Sequence, residues 1–304
     1  MDILDRIYGG WRYIMEQKSD PRTRNWFMMN SPLPTIALSA TYIITVKIIG
    51  PKLMENRKPL ENAKKLQFYY NLFHLLINVF LFYEACATGW LTYYSFRCQP
   101  VDFSMEGVPY RIAVDCWLYF LSKFTDFFET CIFVMLKRFD MINLYHVAHH
   151  SIMPVSVWWG VKFLAGGHST FFGLINTFVH IVIYTYLLTI QQFPSTKNTI
   201  FFWWKPFYPF FQIAQFGLIF LHAFQLIVSN ECNYPMSFVY FIGGHAVLFF
   251  ILVRSKMHSD KLKLLKVEPN SKKHETDENQ NVIEKVIEST YETTRQRVLV
   301  EPSR

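Results

Sequence analysis

Apolar residues gather in seven stretches along this chain, at about 32–50, 66–90, 112–136, 144–164, 169–190, 206–228 and 234–254. A bilayer core takes about 20 mostly apolar residues as a helix, and each stretch meets or approaches that length. Pro32 and Pro34 open the first, Pro206 and Pro209 the sixth, and Pro235 the seventh. Proline suits a helix's first turn, where its missing N–H would have no partner anyway. The pattern predicts an all-α membrane protein of seven transmembrane helices. Residues 1–31 form an N-terminal segment, 32–254 the membrane domain, and 255–304 a polar, solvated and largely disordered tail. The first thirty residues carry charges throughout and no apolar core of a signal peptide.

Seven spans put the termini on opposite faces. The loops and near tail on the C-terminal face carry sixteen Lys and Arg; the other face carries seven. The positive-inside rule then makes the C-terminal face cytosolic and the N-terminal face lumenal or external. Composition agrees with a membrane protein. Of 304 residues, 51% are hydrophobic and 17% charged, against about 25% charged in a soluble domain. This excludes a disordered chain, a collagen-like fibre and a small disulfide-stapled domain. The net charge of +7 therefore reads as a topology signal rather than a nucleic-acid footprint. The five cysteines form no CxxC pair, which argues against a cysteine zinc site. Cys98 and Cys232 both fall in loops of the oxidising face, where they either pair or stay as two thiols. Cys86, Cys116 and Cys131 fall inside helices as small buried residues.

Ionisable groups inside membrane spans are costly and mark cavities or partners. The third segment holds Lys123, Asp126 and Thr130 on one helical face, with Glu129 beside them. They either line a reactive cavity or neutralise each other. The fourth opens with His146, His149 and His150 within about one turn. Such convergence suits metal binding or a nucleophile with an adjacent base. The fifth carries Asn176, His180 and Tyr184 as one stripe, with Thr177 and Tyr186 nearby; the sixth carries Gln212 and Gln215. A lone His180 would be structural, and two amides can simply join helices. In the deduced orientation all four stripes face one polar cavity open to the cytosol. Lys137, Arg138 and Lys205 stand at its mouth, a rim suited to a polyanion. Abundant Phe and Tyr suit an apolar chain. A charged head with a greasy tail, such as an acyl-CoA, fits both.

These motifs resemble the ELO family of very-long-chain fatty acid elongases. His146-x-x-His149-His150 is similar to its histidine box, Asn176-x-x-His180-x-x-x-Tyr184 to its second histidine motif, and Gln212-x-x-Gln215-Phe216 to its glutamine motif. The loop Arg97-Cys98-Gln99-Pro100-Val101-Asp102 is also family-like, and the resemblance spans about 25–255. It implies condensation of an acyl-CoA with malonyl-CoA as co-substrate, giving a 3-ketoacyl-CoA two carbons longer, CO2 and CoA. It implies an acyl-histidine intermediate with His149 as nucleophile. His146 and His150 would orient it or shuttle protons. His180 with Asn176 would assist decarboxylation or stabilise the enolate, and Lys123 with Asp126, beside Glu129, would position the histidines. Tyr184, Gln212, Gln215 and the basic rim would contact substrate. No metal or other cofactor is implied. The implied setting is the endoplasmic reticulum membrane, with segments two to seven enclosing an acyl tunnel. Its lumenal end, near segments six and seven, would set chain length, with His245 and Gly243-Gly244 as packing features. Membrane lipid, a second copy of the chain, and the reductases and dehydratase of the elongation cycle are implied partners; nucleic acid is not.

Two departures stand out. The family's third-segment motif is Lys-x-x-Glu-x-x-Asp-Thr, and here the two acids are exchanged as Asp126 and Glu129. The C-terminal Glu-Pro-Ser-Arg lacks a dilysine retrieval signal. Two other classes compete. A di-iron desaturase or hydroxylase uses about eight histidines in three boxes; here one box exists, and His74, His168, His222, His245, His258 and His274 are scattered. A seven-helix receptor or transporter shares the topology. Against it, the chain has no N-x-Ser/Thr sequon, and its polar cluster faces the cytosol.

Overall fold

The computed structural model describes residues 3–193 and 207–260. Lys197, Lys205, Pro206 and the tail beyond residue 260 lie outside them. The described residues are helical, with no strand among them. The helices are α1 (Ile3–Gln17), α2 (Leu33–Met54), α3 (Asn62–Trp90), α4 (Gly107–Met135), α5 (Leu144–Phe163), α6 (Thr170–Gln192), α7 (Phe207–Val228) and α8 (Met236–Asp260). Met1–Arg254 form one compact unit and Ser255–Arg304 a second.

Among the described residues, five helices are long and apolar enough to cross a membrane: α2, α3, α6, α7 and α8. The other two sequence segments, now α4 and α5, are also long, at 29 and 20 residues. Their composition falls short because they carry the ionisable groups, Arg111, Asp115, Lys123, Asp126 and Glu129 on α4 and three histidines with Lys162 on α5. All seven segments marked by the sequence therefore contain a helix, five of them of spanning length and composition and two carrying polar stripes. The structure adds α1, a helix within the N-terminal segment for which the sequence reading named no element. Its Trp11 meets the edge of Trp159 at 6.4 Å between ring centres.

Helices α3 to α8 close a ring. α3 packs along α6, α6 along α7, α4 against both α3 and α5. Rings of Phe216 and Phe249 join α7 to α8, and Ser156 Oγ with His245 Nε2, 2.7 Å apart, joins α5 to α8. α2 lies against α5. Local chemistry fixes the polar turn of α5. Asn143 caps it, its side chain accepting from the His146 N–H at 3.0 Å. Pro154 lies inside the helix and has no N–H for the carbonyl of His150.

The ring is tied at the end where α4 begins. Arg22 is buried, 3% exposed. Its guanidinium grips Asp20 twice, at 3.0 and 2.6 Å, and donates to the carbonyls of Asp102, Pro109 and Ala165 at 2.7 to 2.8 Å. A charge counted as a topology signal is thus a buried tie between three segments. Cys98 and Cys232 are disulfide-bonded, joining the α3–α4 loop to the α7–α8 loop. Removing one partner of a buried ion pair leaves an uncompensated charge. Asp20→Ala is therefore expected to lower stability by about 3 kcal/mol, measured as a fall in the unfolding temperature in detergent. An unchanged temperature would contradict the role given to this pair.

Candidate functional site: an imidazole cluster above an apolar cavity

The polar stripes of α4, α5 and α6 meet inside the ring, as the helical spacing predicts. Asp126 is at their centre, 2% exposed. Its Oδ1 lies 3.5 Å from His74 Nδ1 on α3, and its Oδ2 lies 4.0 Å from Lys123 Nζ and 3.8 Å from His150 Nδ1 on α5. Glu129 Oε2 lies 3.6 Å from His150 Nε2. The exchanged acids therefore have distinct places. The shorter one sits among three basic groups, and the longer one reaches the far nitrogen of His150.

Lys123 does more than neutralise Asp126. Its ammonium donates to Asn176 Oδ1 at 3.2 Å and sits 4.2 Å above the Tyr119 ring. Tyr119 OH donates to the same Asn176 oxygen at 2.7 Å. Thr130, fully buried, links Tyr42 OH at 2.9 Å with His146 Nε2 at 2.8 Å. His146 and His150 thus face polar partners. His149 is instead framed by rings: Tyr145 at 5.8 Å, His150 at 5.3 Å and Phe249 at 5.1 Å. His180 lies within electrostatic reach of His149.

Other expected residues occupy different positions. Tyr184 is buried in the wall, its ring 5.0 Å from His74 and 5.8 Å from His180. Gln212 and Gln215 are buried on α7, and Gln215 Oε1 has no hydrogen-bond partner among the described residues. Phe216 stacks on Phe249, the ring that edges His149. Lys137 ties the α2–α3 loop, donating to the carbonyls of Glu55 and Arg57 at 3.1 and 3.0 Å. Arg138 is exposed, 5.9 Å above the Phe133 ring. Lys205 lies outside the described residues. Glu129, His146 and His150 hold one ligand atom each within 4.8 Å of one another, close enough for a metal ion.

His74 was taken as scattered, yet it is 1% exposed and touches Asp126. Asn71, His74 and Asn78 are all buried on α3. The helical-stripe argument applied to the other segments would have found them. Tyr42 and Tyr119 gave no signal beyond being two aromatics among many.

Beneath the cluster, toward the start of α4, lies a cavity of about 140 Å³. It runs from Tyr119 and Met153 to Trp90 and Leu164, with walls from α3, α4, α5, α6 and α8. Tyr119 belongs to both spaces, lining the cavity and bonding Asn176.

Apolar spanning helices around a shared imidazole cluster and an apolar cavity define a multi-pass membrane protein with a polar site beside an apolar space. Residues 27–261 match the family described as ELO: GNS1/SUR4, and the chain belongs to it. It is 52% identical over 252 residues to "Very long chain fatty acid elongase 7" of Drosophila melanogaster, covering 83% of this chain and 76% of that one. Identity is 41% over 248 residues to the protein of the same name from Rattus norvegicus, covering 81% and 86%. It is 34% over 250 residues to "Very long chain fatty acid elongase 1" of Homo sapiens, covering 82% and 88%.

Truncating Asp126 leaves the buried Lys123 ammonium with an amide oxygen and a ring face only. Asp126→Ala is expected to cost about 3 kcal/mol, and Glu129→Ala distinctly less. Thermal unfolding of both variants in detergent checks the order; equal costs would contradict the central place of Asp126.

Proposed function

We propose that this protein is the condensing enzyme of fatty acid elongation, joining an acyl-CoA to malonyl-CoA to give a 3-ketoacyl-CoA two carbons longer, CO2 and free CoA. The observation that carries this reading is the adjacency of the two spaces: the imidazole cluster and the apolar cavity share Tyr119. A reacting carbonyl held at the cluster would have its hydrocarbon tail in the cavity.

His149 is the proposed nucleophile. Imidazole attacks a thioester without prior ionisation, because its ordinary pKa of about 6.5 leaves it neutral at cytosolic pH. A ring nitrogen of His149 attacks the thioester carbon, the C–S bond breaks, and CoA departs as a thiolate that takes up a proton. Loss of CO2 from malonyl-CoA then yields an enolate. Its carbon attacks the acyl carbon, the C–N bond breaks, and His149 is restored. His180 and Asn176 stabilise the enolate oxygen. His146 and His150, held by Thr130, Asp126 and Glu129, orient the neighbouring ring and move protons. Lys123 acts on position through Asn176. Gln212, Gln215 and Tyr184 complete the walls, and Lys137, Arg138 and Lys205 attract the CoA phosphates.

The reaction so written needs no metal or other cofactor. The trio of Glu129, His146 and His150 favours the competing di-iron reading, and the same preparation distinguishes them. The setting proposed is the endoplasmic reticulum, with seven spans, a lumenal N-terminus and a cytosolic C-terminus. The sixteen-to-seven distribution of Lys and Arg supports the orientation. A second copy of the chain and the later enzymes of the cycle are the proposed partners.

Purified wild-type protein given labelled malonyl-CoA and acyl-CoAs should place label in 3-keto chains two carbons longer. His149→Ala should lower this by at least about a hundredfold, and prior chelation should leave the wild-type rate unchanged. Full condensation by His149→Ala would remove the nucleophile assignment. Stoichiometric iron whose removal stops the reaction would favour the di-iron reading.

A further inference from the structure

The wall of the apolar cavity contains a carboxyl group that the condensation chemistry does not use. Asp115 lies on α4 about 16 Å from the level of Asp126, counting eleven residues at about 1.5 Å each. It lines the cavity, and its Oδ2 is buried with no hydrogen-bond partner among the described residues. The Asp115 side chain shares a hydrogen bond with the neighbouring Glu84, which is itself held by Arg111, whose Nε and Nη2 donate to its two oxygens at 2.7 Å each.

Most of the cavity's hydroxyl groups donate to the protein, and the Tyr94 hydroxyl accepts from the Gly167 N–H at 3.1 Å. Thr88 Oγ1 donates to the Glu84 carbonyl at 2.6 Å, Thr170 to Gly167 at 2.8 Å, and Thr177 to Gly173 at 2.9 Å. Tyr119 donates to Asn176. Ser156 lies 2.7 Å from His245 Nε2, and His245 Nδ1 lies 2.7 Å from the Phe241 carbonyl. A carbonyl can only accept, so Nδ1 carries the proton, and the single Ser156 hydrogen is shared between Nε2 and the Ile152 carbonyl at 3.0 Å. Asp115 differs from all of these in having an oxygen without such a partner.

A buried carboxyl oxygen left without a partner against hydrocarbon costs free energy, because its lost water contacts are not replaced. A plain alkyl chain at this depth leaves that cost in place, whereas a hydroxyl on the chain would offset it by donating to the carboxyl oxygen. We propose that Asp115 makes the distal acyl cavity a subsite for acyl chains bearing a hydroxyl in their middle or distal part. This rests on the condensing function above and adds a substrate class to it. A hydroxyl next to the thioester would lie at the level of the imidazoles, out of reach of Asp115. The subsite therefore discriminates by position along the chain.

Stearoyl-CoA, its mid-chain hydroxyl derivative and its α-hydroxyl derivative test this with wild-type protein, Asp115→Leu and Asp115→Asn. The readout is kcat/KM for each hydroxylated substrate divided by that for stearoyl-CoA. Asp115→Leu should lower the mid-chain ratio about tenfold, the worth of one hydrogen bond to a charged or acidic group. Asp115→Asn, which keeps the size and an acceptor oxygen, should retain most of it. The α-hydroxyl ratio should be the same in all three proteins. Wild-type protein alone gives a second readout: mixed with both isomers, it should elongate the mid-chain one in preference. An unchanged mid-chain ratio, or a fall shared equally by all substrates, overturns the proposal and leaves Asp115 a structural acid. Failure of the wild type to elongate any of the three overturns the condensing function first, and this subsite with it.

Discussion

Everything in this protein is arranged around the cost of keeping ionisable groups inside a bundle of apolar helices. Asp126 meets that cost by standing within 4.0 Å of a lysine and two histidines from three helices. No single helix supplies enough partners, so the cluster forms only when α3, α4 and α5 pack together. The same requirement fixes side-chain direction. Lys123 is drawn toward Asn176 and Tyr119, His146 toward Thr130, and His150 between two acids. A set of imidazoles with defined orientation follows from electrostatic necessity.

The polar cluster and the apolar cavity are coupled through Tyr119, which lines one and bonds within the other. Around them the ring of α3 to α8 is secured at the cavity end by Arg22 with its five donated bonds and by the Cys98–Cys232 bridge. These ties lie far along the chain from the imidazoles. Their part is to hold helix ends together where a cavity has replaced packed side chains and the usual gain from close packing is missing. The proposed chemistry thus depends on groups that never touch a reacting atom.

Much of this was legible in the sequence. The helices were readable because apolar runs of bilayer length are hard to disguise, and the stripes on α4, α5 and α6 because polar residues at helical spacing stand out against them. His74 escaped because one histidine in an apolar segment was judged alone, without its neighbours Asn71 and Asn78. The fate of Lys137 and Arg22 was not legible. Each binds carbonyls supplied by distant segments, and no local pattern records which backbone atoms will be nearby. The cysteine pair stayed open for the same reason. The cavity is a property of the closed ring alone. Nothing in the sequence marks Asp115, because its surroundings exist only in the closed ring. The exchange of acids at 126 and 129 stood out as a departure from the family pattern, and the longer side chain at 129 reaches a nitrogen of His150 that the one at 126 does not.

The central claim is that His149 carries the acyl group. The most direct measurement is mass spectrometry of purified protein incubated with an acyl-CoA in the absence of malonyl-CoA, followed by digestion. The account predicts one acyl mass on the peptide containing His149, released as the 3-keto product when malonyl-CoA is added, and absent in His149→Ala. An adduct on a different residue that malonyl-CoA converts to product, or condensation at full rate with no adduct at any time, would contradict it.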